Sequence, residues 1–277
     1  MHAKFRQVLL WELRIWLILL CLASHDEATL TLVNLSHHDL FQVYAITGGA
    51  SGMGAATARL LAQRGASAIC IADILNPSTE VGCQIIDVSS SESVDNWING
   101  IITTFGDLHG VANVAGLPQP IGARGIPAIA EETDSAWDKI LGVNLNGVFY
   151  CTRAAIRAMK ELPPASDRGI VNVASMASLQ HNPDAYAYRA SKAGCAHFTQ
   201  SVAKDTIALG IRTSPGVTNT PMLDKFFDVS DNVKKGYLKS GWTSMRPEDV
   251  ARMIVWLLSE DSKCVFGANI NVGAAVP

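Results

Sequence analysis

The stretch Val43-Tyr44-Ala45-Ile46-Thr47-Gly48-Gly49-Ala50-Ser51-Gly52-Met53-Gly54 carries the architecture of this chain. Val43–Thr47 is a short apolar run bounded by glycines, the mark of a buried strand, and from Gly52 to Arg64 the apolar positions take helical spacing. A strand that turns through glycines directly into a helix places the helix's free N–H groups and positive dipole end at the turn, where a pyrophosphate is stabilised. Thr47, Gly48, Ser51, Gly52, Met53 and Gly54 are therefore candidates for holding a dinucleotide. The same glycines would also serve a turn that only packs helix on strand.

Downstream, short apolar runs alternate with helix-period segments, the pattern of an α/β protein with a doubly wound parallel sheet. The runs predict strands at Val43–Thr47, Ala68–Asp73, Gln84–Val88, Gly110–Asn113, Ile170–Ala174, Ile211–Thr213 and Asn269–Val272. Helices are predicted at Gly52–Arg64, Ser91–Phe105, Ser135–Met159, Ala187–Leu209 and Pro247–Ser259, the last opening with Pro247, Glu248 and Asp249 as a helix N-terminus favours. Residues 41–277 are expected to form one domain, and 1–40 a leader. Leu9–Ser24 is apolar, but Glu12 and Arg14 leave a clean stretch of only Ile15–Ser24, about half of a spanning helix. An inert leader, a secretory signal and a membrane-surface anchor stay open for it, and polar His25–Asp39 reads as a linker.

The composition narrows the function. Apolar residues make up 48% of the 277, and charged ones 17%, which excludes a disordered chain over most of the length. Lys and Arg number 22 against 25 Asp and Glu, with no basic run, so no nucleic-acid partner is expected. The six cysteines, Cys21, Cys70, Cys83, Cys151, Cys195 and Cys264, lack metal-binding spacing. They read as small buried hydrophobes in a reducing, cytoplasmic setting; a membrane-associated protein held by its leader is the alternative, and no metal is expected.

Two further constellations carry chemistry. The second strand ends in Asp73, nineteen residues past Gly54, where a carboxylate can accept from adenosine ribose hydroxyls and would repel a 2′-phosphate. With no Lys or Arg in the glycine turn, NAD is expected over NADP. Tyr188 and Lys192 stand at i and i+4 of a predicted helix, and so on one face. A neighbouring ammonium favours phenolate, which makes the tyrosine a usable general acid/base. Ser175, at the end of an apolar strand, can orient a substrate carbonyl.

With these motifs in order, the chain resembles the short-chain dehydrogenase/reductase family from about Val43 to Val272. The resemblance rests on Thr47-Gly48…Gly52…Gly54, on Asp87-Val88, and on Asn113-Val114-Ala115-Gly116. It continues through Asn144 in Val143-Asn144-Leu145-Asn146-Gly147, then Ser175, Tyr188 and Lys192, and Pro215-Gly216-Val217-Thr218-Asn219-Thr220. It implies a Rossmann fold, Asp87 and Val88 against adenine, and Asn113 and Gly116 lining the cofactor cleft. Further, it implies Val217 and Thr220 on the carboxamide, Tyr188 exchanging a proton with the substrate oxygen, Lys192 on the nicotinamide ribose, Ser175 on the substrate oxygen and Asn144 positioning a relay water. It implies pairing of subunits as well. Fungal secondary-metabolism members are similar in the Thr47–Gly54 region, pointing to a polyketide or terpenoid alcohol.

The sequence also departs from the family. Only Ile74–Cys83 separates the second strand from the third, about the minimum for a parallel crossover, so the intervening helix is expected to be shrunken or absent. Ile211–Ser214 is about three residues short before Pro215-Gly216, roughly 10 Å of strand. Either Leu209 unwinds to compensate, or the Pro215–Thr220 loop no longer seats the nicotinamide. Val114 stands where the family has Asn, and Val272-Gly273-Ala274-Ala275 where it has an acid-Gly-Gly ending. His181 and Tyr186 are further candidates for touching substrate. Met222–Trp242 carries an amphipathic pattern suited to a flap over a lipophilic substrate, or to simple core cover. The expected function is an NAD(P)-dependent oxidoreductase interconverting a secondary alcohol and a ketone, with a catalytically silent dinucleotide-binding protein as the alternative.

Overall fold

The apolar runs become seven parallel strands in a computed structural model, which describes residues 42–75, 83–119, 127–163, 168–179, 181, 184–218 and 245–272. The strands are β1 (Val43–Thr47), β2 (Ala68–Asp73), β3 (Cys83–Ile85), β4 (Gly110–Asn113), β5 (Gly169–Val173), β6 (Arg212–Thr218) and β7 (Ile270–Val272). They lie in the order β3-β2-β1-β4-β5-β6-β7, all paired in parallel. The helices are α1 (Gly52–Gln63), α2 (Ser91–Phe105), α3 (Asp134–Leu141), α4 (Val148–Glu161), α5 (Tyr186–Thr206) and α6 (Pro247–Leu258). This is a doubly wound α/β sheet, whose strand order reverses between β1 and β4 and opens a crevice at their C-terminal ends.

The strands are apolar without alternation because both faces are covered. Val43 and Ala45 of β1 pack with Trp97 and Ile98 of α2 and Ala155 and Met159 of α4. Tyr44 and Ile46 pack on the other face with Leu61 of α1 and Ile254 and Leu258 of α6. Each fully buried valine, leucine, isoleucine or methionine side chain among them contributes about 1.5–3 kcal/mol.

The N-terminal edge of the sheet is tied by two buried guanidinium groups. Arg168 donates to Asp107 Oδ1 at 2.9 Å and to the Leu108 carbonyl at 3.3 Å. Arg212 donates to Ser262 Oγ at 2.6 Å, to the Ser259 carbonyl and to the Arg168 carbonyl. Burial alone would raise the Asp107 pKa, but the Arg168 bond, the Leu108 N–H and the charge of His109 outweigh it and hold the carboxyl below its ordinary value.

Four expectations need correction. The third strand stops at Ile85 instead of Val88, because the Asp87 carboxylate accepts from Ser89 N and Oγ and closes a turn. The predicted helix Ser135–Met159 is α3 and α4 joined by a π-helical turn, Gly142–Gly147, whose wide hydrogen bonding absorbs an extra residue. The sixth strand extends to Thr218 instead of ending at Thr213. Lastly, the helix predicted to run to Leu209 ends at Thr206, and Ile207–Leu209 forms a 3₁₀ turn closed by Gly210 at φ 68°. β1, β2, β4 and α2 keep the expected bounds to the residue, and the remaining strand and helix ends move by at most three residues. The leader, the segment between Leu75 and Cys83, and the Met222–Trp242 flap lie outside the described residues. Among the described residues no helix is long and apolar enough to cross a membrane, and no cluster of metal ligands occurs.

Candidate active site

The crevice is built from backbone that only glycine permits. Gly48 and Gly52 have φ of 68° and 53°, in the left-handed region. A Cβ on Gly54 would stand 2.2 Å from the Gly48 carbonyl oxygen, and one on Gly48 2.7 Å from the Ala115 backbone. The turn is thus closed on itself and on the loop after β4. Thr47 Oγ1 fastens the same junction by accepting from Val114 N and Ala115 N at 3.2 and 3.3 Å. Ser51 makes no side-chain cap on α1 and no acid stands in its first turn, so no side chain of that turn competes for the first N–H groups of the helix. A Cβ on Gly52 would meet nothing within 4 Å. These features fit a dinucleotide pyrophosphate.

Asp73 lies beside the turn, accepting from Ala50 N on one oxygen and Leu75 N on the other, each at 3.1 Å. Val88 is buried and lines a small pocket with Thr47, Asn113, Ala115 and Val143, while Asp87 is exposed and engaged by Ser89. Met53 is buried in the core, so its side chain does not face the crevice. Asn113 is buried, donating to Asn172 Oδ1 at 2.8 Å, and its own Oδ1 has no hydrogen-bond partner among the described residues.

The second constellation assembles at Gly116. A Cβ there would stand 3.3 Å from Asn144 Oδ1 and 3.5 Å from Lys192 Nζ, which places both side chains against one loop. Asn144 is fully buried at the π turn, where Oδ1 accepts from Leu117 N at 2.8 Å and Nδ2 donates to the Leu117 carbonyl at 2.9 Å. Lys192 Nζ donates to the Val173 carbonyl at 2.8 Å and lies 6.0 Å from the ring centroid of Tyr188. Burial pushes the Lys192 pKa down, opposed by the neighbouring Cys195. Tyr188 and Ser175 are also buried, and Ser175 Oγ accepts from Ala177 N at 3.2 Å. The structure thus brings Asn144, Gly116, Lys192 and Tyr188 together, with Ser175 two residues past Val173. His181 is exposed and Tyr186 half-buried. Thr220 lies outside the described residues, and of Val217 only the backbone is described.

That backbone stands in the sheet. Asn172 pairs with Pro215 and Val173 with Gly216, and Gly216–Thr218 pair with Ile270–Val272. Pro215–Thr218, expected as loop, thus belong to the sheet, immediately where pairing with β7 begins, although proline has no N–H to give a ladder. Gln119 and Ser191 escaped the reading of the sequence. Ser191 Oγ lies 3.3 Å from Asn144 Nδ2, and Gln119 accepts from the Tyr188 N–H at 2.9 Å. The available signal was Ala185, a residue unable to cap the helix that follows it.

Comparison with known proteins fits this geometry. The family model described as Enoyl-(Acyl carrier protein) reductase matches residues 48–274. The chain is 56% identical over 256 residues to a chanoclavine-I dehydrogenase of Aspergillus fumigatus, covering 85% of this chain and 98% of that one. It is 54% identical over 258 residues to a chanoclavine-I dehydrogenase of Arthroderma otae, with the same coverages. Among solved structures, levodione reductase superposes with a TM-score of 0.72 at 25% identity, over 84% of this chain and 96% of that one. The protein gox2181 does so at 0.70 and 27%, over 83% and 93%. A glycine turn, a buried tyrosine–lysine pair and these matches lead to one assignment: the chain belongs to the short-chain dehydrogenase/reductase family, and is an NAD(P)-dependent oxidoreductase.

Proposed function

We propose that this chain oxidises an alcohol of chanoclavine-I, or of a compound of closely similar shape, with NAD in preference to NADP. The observation that carries the reading is the burial of Tyr188, Lys192 and Asn144 around Gly116, beside the glycine turn. The dinucleotide, when bound, supplies the hydride acceptor. Thr47, Gly48, Ser51, Gly52 and Gly54, with the N–H of Met53, hold its pyrophosphate. Asp73 takes the adenosine ribose hydroxyls, and Asp87, Val88, Asn113 and Gly116 line the adenine and ribose positions. Val217 and Thr220 are assigned to the carboxamide.

Tyr188 Oη takes the substrate's hydroxyl proton. The Lys192 ammonium stabilises the phenolate that must exist before that transfer, because an opposite charge in a buried setting favours the ionised form. Ser175 Oγ turns from Ala177 N to hold the substrate oxygen, and Asn144 positions a water that carries the proton outward. For cofactor choice, the Asp73 carboxylate sets a negative charge where NADP would bring its phosphate. Residues 1–40 are proposed as a leader outside the catalytic domain, which pairs with a second copy. The catalytically silent alternative finds no support in the comparisons.

The test is to follow reduced cofactor by its absorbance with purified chain, chanoclavine-I and NAD. Tyr188→Phe should lower turnover by about a hundredfold or more, the scale of general acid–base catalysis, and leave calorimetric binding of NAD unchanged. Normal turnover by that variant would overturn the proton route.

A further inference from the structure

The helix that carries Tyr188 begins badly. Its N-cap is Ala185, which has no side chain to cap with and sits at φ 51°, after Asp184 at φ 71°. Two successive non-glycine residues in the left-handed region cost of order 1–3 kcal/mol each, and persist only where the surroundings fix them. Normally a Ser, Thr or Asp at the N-cap accepts the N–H of the third helical residue. Counting from Ala185, that third residue is Tyr188.

Its N–H is accepted instead from outside the helix, by Gln119 Oε1 at 2.9 Å. Gln119 is 2% exposed, and its Nε2 donates to both oxygens of Glu132 at 2.9 and 2.7 Å. The amide's orientation is fixed by its partners: an N–H needs an oxygen on one side and a carboxylate needs an N–H on the other. Glu132 in turn sits between the 3₁₀ turn Ala128–Glu131 and Thr133, the N-cap of α3. The residue assigned the proton transfer is therefore held by its own backbone to a glutamine of the β4 loop.

Resting on the function proposed above, we infer that Gln119, braced by Glu132, is a positioning residue that sets the distance between the Tyr188 phenol and the Lys192 ammonium by capping the catalytic helix from a neighbouring loop. Without that acceptor the first turn of α5 loosens. The phenol then drifts from Nζ, and the phenolate is stabilised less.

Gln119→Leu keeps the bulk and removes the acceptor. Its turnover at neutral pH should fall by about tenfold to a hundredfold, as small misplacements do. The rise of kcat with pH should move to higher pH, with the KM for NAD unchanged. Glu132→Ala should move the profile the same way, and Glu132→Gln, which still accepts from Nε2, should restore it. Independently of any substrate, amide exchange at the first turn of α5 should quicken in Gln119→Leu, or in Glu132→Ala should the leucine variant not fold. Unchanged exchange, a pH profile that superimposes on that of the parent after scaling, or a Glu132→Gln chain as impaired as Glu132→Ala would each overturn the inference. Normal turnover by Tyr188→Phe would instead remove the function it rests on, leaving the exchange result to judge the cap alone.

Discussion

On the proposed reading, the charge of Asp73 chooses between two cofactors. The side chain also accepts from Ala50 N and Leu75 N, so removing it whole would disturb the turn. Asp73→Asn keeps an acceptor and removes the charge; the kcat/KM preference for NAD over NADP should narrow by about tenfold, roughly 1.4 kcal/mol. Gly54→Ala is a different case, because its Cβ would meet the Gly48 carbonyl at 2.2 Å and backbone cannot yield as a flexible side chain would. It should lose about 1–3 kcal/mol of stability, read as a lower Tm, and NAD binding should be lost by calorimetry. Most of the candidate site was legible at this scale, since Tyr188 and Lys192 meet through helix periodicity and Thr47–Gly54 through local turn chemistry. Gln119 was not, because nothing in the local pattern says which distant side chain will cap a helix that starts at an alanine.

Elements were legible where a run faces its partners uniformly, and less so where tertiary demands intervene. β1 and β4 follow their apolar runs to the residue. Asn144 lies on a π turn that no periodicity announces, flanked by Gly142 and by Gly147, whose Cβ would press within 2.9 Å of Val88. β6 defied its composition, since Pro215 and Gly216 read as loop and stand in the sheet. Three extended residues inserted after Thr213 would carry Pro215–Thr218 roughly 10 Å onward. Calorimetry should then find tighter NAD binding; equal affinity would mean that the loop beyond Thr218 already reaches its mark.

Across the molecule, the buried guanidinium ties at the N-terminal edge predict acid sensitivity. Asp107 ionises more readily folded than unfolded, so its contribution is complete above the unfolded value of about 3.9 and is lost as pH falls through its lower folded value. In thermal melts Asp107→Asn should be less stable than the parent near neutrality, and the gap should close below about pH 4. A gap constant with pH would mean that the Arg168 bond is indifferent to charge. The arginine ties lie at the opposite end of the strands from the glycine turn and the tyrosine. Substrate range can consequently drift by changes at one rim while foldability is repaired at the other, so a library randomised only around the crevice could be screened on a scaffold stabilised beforehand, and adaptation to a new alcohol need not begin by spending the chain's tolerance for mutation.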